Sequence, residues 1–174
     1  VRLVSYRGTL NAGAVFGTLS NTASGATRAA SPTLPAAVVV ISGNGQTAEV
    51  GQATPQPLVV EVRDASGTPL EGVTVSWGVI SGGGSLNVPA STTTNSSGRV
   101  SALWTMGSVT GAHRVSASVA GAGSVEFTAT ATPGPVSSVV VSPNPGSTQV
   151  GGTVAFSAVA RDRFGNLVTT SFSW

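Results

Sequence analysis

Hydrophobic and polar positions alternate along most of this chain with a period of two. Leu58, Val60 and Val62 fall on one side of an extended segment, with Glu61 and Arg63 on the other. The same period returns at Val73, Val75, Trp77 and Val79, and at Val100, Ala102, Trp104 and Met106. It appears again at Val115, Ala117 and Val119, and at Val125, Phe127 and Ala129. Successive side chains of a strand point to opposite faces, so each series predicts a half-buried strand. Shorter strands are expected at 38–42, 46–50, around Leu86 and at 92–94, while Pro55 and Pro57 fit a loop or an edge. Turn residues punctuate the series: Gly43-Asn44-Gly45, Asp64 to Pro69, Ser81 to Gly84, Asn95 to Gly98 and Gly121-Ala122-Gly123. Short alternating strands between such turns predict an all-β sandwich. Its expected structural core includes Val60, Val62, Val75, Trp77, Trp104, Val115 and Phe127.

The pattern then starts again. Val50-Gly51 returns as Val150-Gly151, Arg63-Asp64 as Arg161-Asp162, Gly67 as Gly165 and Trp77 as Trp174. The spacing is about a hundred residues, the size of one small sandwich domain. Residues 36–133 therefore read as a complete unit and 134–174 as the N-terminal half of a second, with Thr132-Pro133-Gly134-Pro135 as the linker. Phe156, Ala158 and Ala160 take the places of Leu58, Val60 and Val62. Residues 1–35 show no sustained period and read as a linker or upstream remnant of low order, with Val1–Tyr6 as a possible last strand of something upstream. The expectation is a piece of a longer repetitive protein. The competing one is that Val1–Tyr6 of a neighbouring copy fills the open second unit.

Composition narrows the chemistry. All eight basic residues are Arg and are scattered; the six acids are Glu49, Glu61, Asp64, Glu71, Glu126 and Asp162. A net charge of +2 with no basic cluster gives no nucleic-acid footprint. With no Cys there is no disulfide, thiolate nucleophile or Cys-ligated metal. With no Lys, no lysine isopeptide cross-link can form, so stability rests on burial and strand pairing. No apolar run approaches the ~18 residues of a spanning helix, so membrane insertion is not expected. Leu10 to Leu19 follows Arg2 and Arg7, but Asn11, Gly13 and Gly17 interrupt it as a secretory leader.

Candidate chemistry is sparse. His113 is the single histidine, which rules out a His pair; it reads as an exposed loop residue between Gly111 and Val115. Glu61 lies on an outward face and Asp64 opens a turn, so they read as solvated charges, not as a glycosidase pair. Asp64 and Asp162 stand singly in equivalent turns, too few oxygens for calcium. Gly43-Asn44-Gly45 and Gly82-Gly83-Gly84 precede no helix and read as turns, not phosphate loops. Asn95-Ser96-Ser97 fits a glycosylation sequon. Trp77 and Trp104 share the inward parity, against their use as sugar platforms, and Trp174 is inward by the same logic. No catalytic, cofactor or metal residues are expected, and no enzyme.

Several stretches carry a resemblance: Gly43 to Thr47, Pro57 to Trp77, Gly82 to Leu86, Thr94 to Val100 and Phe127 to Ala131. On these, residues 36–133 resemble the bacterial immunoglobulin-like group 1 domain of invasin- and intimin-type adhesins. Val141 to Gly146, Val150 to Val154 and Arg161 to Asn166 resemble the start of a bacterial Ig-like group 2 domain. The resemblance implies immunoglobulin-like sandwiches strung outward from a bacterial surface, most of them spacers. It implies a non-catalytic extracellular stalk or adhesion segment whose partners are neighbouring Ig-like domains and, through a domain elsewhere, a host or surface ligand. The alternatives are an accessory or carbohydrate-binding module of a secreted polysaccharide-acting enzyme, and a phage surface domain.

Overall fold

The computed structural model describes residues 33–87 and 92–173. The expectations for Val1–Tyr6, for the leader, for all but the last residues of 1–35 and for Trp174 lie outside the described residues.

The first strand segment is shared between two sheets. β1 (Ala37–Ser42) pairs antiparallel with β3 (Leu58–Arg63), whereas β2 (Gln46–Glu49) pairs parallel with β8 (Gly123–Thr132). Gly43-Asn44-Gly45, read from the sequence as a turn, passes the chain from one sheet to the other. Gly43 adopts a φ of 87°, and a Cβ there would lie 2.4 Å from the Pro57 carbonyl, so only glycine fits. Asn44 fixes the crossing by accepting the Thr128 N–H through Oδ1 at 2.8 Å.

The remaining strands complete a sandwich. One sheet runs β1-β3-β6-β5, with β5 (Ser85–Asn87) and β6 (Arg99–Thr105). The other runs β2-β8-β7-β4, with β4 (Ser76–Ser81) and β7 (Gly111–Val119). Among the described residues there is no helix. The inward face of β3 (Leu58, Val60, Val62) is wholly buried, as are Trp104, Val115 and Phe127, and Val75 is 1% exposed. Burying each such side chain contributes roughly 1.5–3 kcal/mol, so this face dominates the stability of the module. Trp77 is only half-buried, its ring tilted on Phe127 with centroids 5.9 Å apart. The alternation predicted through Val79 does not give burial there: Val79, in register opposite Val115, is 41% exposed, and the register shifts between it and Ser81.

The second module contributes a three-stranded sheet in the order β11-β10-β9, formed by β9 (Val136–Ser142), β10 (Ser157–Asp162) and β11 (Leu167–Val168). Ala160 is buried, as the repeat predicts for its place. Phe156 does not repeat Leu58: β10 begins one residue later, and Phe156 is 48% exposed, with its ring over Gly146.

Candidate functional site

Three turns share one hydrogen-bond plan. In Asp64–Thr68, Asp64 Oδ1 accepts the N–H groups of Ser66 and Thr68, and Gly67 N–H donates back to the Asp64 carbonyl. Asn95–Arg99 repeats the plan with an amide: Oδ1 accepts from Ser97 and Arg99, and Gly98 N–H returns to Asn95. Asp162–Asn166 repeats it again through Phe164, Asn166 and Gly165. An acceptor side chain at the first position and a left-handed glycine at the fourth dictate this shape. The glycines have φ values of 85°, 69° and 87° in turn.

Only the third turn is built into a junction. Asp162 Oδ2 accepts the linker's Gly134 N–H at 3.1 Å and the Asn166 Nδ2–H at 2.9 Å. Asn166 also reaches the first module: Nδ2 donates to the Ser108 carbonyl at 2.8 Å, and Oδ1 accepts the Thr110 N–H at 3.4 Å. Phe164 and Arg163 press on Gly51; a Cβ there would lie 2.9 Å from Phe164 Cζ and 2.8 Å from an Arg163 terminal nitrogen. The Arg163 guanidinium lies 4.5 Å from the centre of the Phe164 ring. On the first module's side, Val50 N–H donates to Thr132 and Gly51 N–H to Gly107, which seats the receiving loop.

Asp162 is 3% exposed. Burial pushes its pKa up, but hydrogen bonds from the Asn166 side chain and from the Gly134, Asn166 and Phe164 backbone outweigh it and hold the pKa at about 2. The carboxylate is thus a charged fastener for four donors. Beside it opens a cleft of about 360 Å³ between the modules, with Glu49 and Gln52 on one wall and Ser137 and Arg163 on the other.

The other candidates lie elsewhere, and two readings are corrected. His113 is not an exposed loop residue: it sits in β7, 1% exposed, on the same parity as Val115, Ala117 and Val119. Its ring stacks on Gly82, where a Cβ would come within 2.2 Å. Glu61 is not solvated: it is 4% exposed. It faces outward, but Arg63 and Arg99 fold over it, donating through Nε at 2.7 and 2.8 Å. Those bonds, Arg99's first and Arg63's second, lower its pKa against burial. Asp64 is not brought together with Glu61; its pKa is lowered by bonds within its own turn, chiefly from Ser66. Among the described residues no three His, Asp or Glu side chains converge as a metal site. Asn166, Phe164 and Gly51 carry the junction, yet sequence reasoning marked them only as repeat or resemblance positions and not as contacts. The usable signal was the Arg161 to Asn166 motif, which repeats Arg63-Asp64 but replaces Ser66 and Thr68 with a large aromatic and an amide.

No family model matches the chain, and no curated protein matches it. Among solved structures it is similar to domains 4 and 5 of the surface-layer protein SbsC, with 15% identity and a TM-score of 0.46 over 57% of this chain and 53% of that one. It is similar to the Escherichia coli adhesin FdeC, with 20% identity and a TM-score of 0.48 over 74% of this chain and 41% of that one. The chain therefore spans about half or less of the length of these two structures.

Proposed function

We propose that this chain is a non-catalytic structural segment of a bacterial surface protein, a stalk or adhesion module that holds a binding element at a set distance. The observation that carries this reading is the fastened junction. The connection between β8 and β9 is three residues long, 133–135, and its Gly134 N–H is held by Asp162 of the next module. Asn166 and Phe164 then dock on the preceding module at two separate places. A short linker with several fixed contacts restricts bending, whereas independent domains joined by a free linker reorient. Residues 36–133 would belong with the group 1 bacterial Ig-like domains and the following residues with group 2, and neighbouring modules would be the standing partners.

The chain has no Cys, so a labelled cysteine pair reports one distance. Labels at Ser124→Cys and Thr169→Cys should give a single narrow distance distribution in solution. A broad distribution at neutral pH would overturn the strut reading.

A second reading, a carbohydrate-binding accessory module, draws on the cleft walled by Glu49, Gln52, Ser137 and Arg163. Clefts between domains are common ligand sites. Titration with neutral and acidic oligosaccharides, read by chemical shifts at these residues, tests it; unchanged shifts would remove it.

A further inference from the structure

His113 and Asn166 hold the same loop from opposite sides. The loop between β6 and β7 runs from Met106 to Thr110. Asn166 of the second module takes hold of it at Ser108 and Thr110. Between those two residues, the Val109 carbonyl lies 2.7 Å from His113 Nε2, which donates to it from beneath. Beneath the loop the ring is enclosed. Gly82 lies against one side, and the Trp104 ring stands 6.5 Å away, tilted by 50°. The cross-strand neighbour on β8 is Ala129.

The other ring nitrogen, Nδ1, is buried and has no hydrogen-bond partner. With Nε2 donating, Nδ1 is a bare acceptor, and the buried Trp104 Nε1–H has no hydrogen-bond partner either. The elements packed on the ring present Gly82, Trp104, Val109 and Ala129, none of them ionisable. On its own strand Arg114 points to the opposite face, where it pairs with Glu126. Among the described residues no carboxylate reaches the imidazole to compensate a positive charge.

We propose that His113 is an acid-sensitive release for the junction. A second proton on the ring would place both a charge and an unpaired N–H in the closed end of the sandwich. Each is costly there. The ring relieves that cost by leaving its pocket, and the Val109 carbonyl loses its donor when it does. The loop then no longer presents Ser108 and Thr110 to Asn166 together, and the second module keeps only the Phe164–Gly51 contact and the Asp162-held linker, a looser seat. The strut of the preceding reading thus gains a condition: stiff near neutrality, loose in acid. The carboxylate fastener does not share this response, because Asp162 stays ionised to about pH 2.

The test uses the full chain with the Ser124→Cys and Thr169→Cys labels, taken from about pH 7.5 downward until the first sandwich itself unfolds. His113 is the single histidine, so its ring resonances report its protonation without any variant. The expected result is a narrow distribution that broadens with the same midpoint as the His113 ring signal. An unchanged distribution across a completed ring titration would overturn the proposal, and so would broadening at a pH where the ring does not titrate, or a ring that stays neutral until the sandwich unfolds. His113→Gln, which keeps a donor but cannot charge, should remain narrow throughout. If that variant fails to fold, the coincidence of midpoints in the parent chain still decides. A distribution already broad at about pH 7.5 would instead count against the strut reading itself.

Discussion

Phe164 rests against the bare backbone of Gly51, so close that a Cβ on the glycine would lie 2.9 Å from the ring. Gly51 also holds a φ of 73°, which a side-chain-bearing residue adopts at a cost of about 1–2 kcal/mol. Gly51→Ala should therefore do two things. Urea unfolding should show a loss of that order, and the distance between labels on the two modules should lengthen or broaden. Gly151, the equivalent glycine, has open space around it. Gly151→Ala should show the conformational cost without the change in distance.

Asp162→Ala should loosen the junction while leaving the first sandwich folded, because all four donors to that carboxylate belong to the linker and the third turn. Asp64→Ala removes the same framework from a turn that takes no share in the junction, since its bonds stay within Asp64–Thr68. Small-angle scattering of the two variants should show a broader particle for the first and an unchanged one for the second.

Trp104→Ala should cost about 3–5 kcal/mol, the range for emptying a wholly buried aromatic site. Trp77→Ala should cost less, since Trp77 is half-buried and packs at the margin on Phe127. Equal losses in denaturant titrations would mean that β4 packs more tightly in solution than its half-buried position allows.

Glu61 should give the sandwich an acid dependence. Its folded-state pKa is lowered, by Arg99 first and Arg63 second. The folded chain therefore releases a proton that the unfolded chain still holds near the ordinary glutamate value of about 4.3. The stabilisation is complete above that value and drains away as the pH falls through the folded one. Between about pH 6 and about pH 3, the parent chain should lose stability that Glu61→Gln does not lose. At neutral pH the same substitution should cost roughly 1–2 kcal/mol for two charge-assisted hydrogen bonds with half-exposed arginines.

Much of the sandwich was legible because burial on one face leaves a period of two, as at Leu58, Val60 and Val62. Parity alone did not give the environment. Glu61 has outward parity, yet two long arginine side chains cover it, one of them from β6. His113 has inward parity, but Gly111 and Arg114 beside it hid a strand that begins two residues earlier. The junction was the least legible region. Asn166 meets Ser108 across 58 positions of sequence, and no local pattern records that meeting.

The parallel pairing of β2 with β8 decides how the first module answers a pull. Tension from the N-terminal side passes through β1 and reaches β2 at its Gln46 end, and it leaves β8 at its Thr132 end, at opposite ends of one ladder. The four paired positions are therefore loaded together in shear, where an antiparallel hairpin pulled at its open end would unzip bond by bond. The glycine crossing at 43–45 thus makes the fold a clamp whose rupture demands simultaneous failure, and the sheet switch becomes a mechanical property.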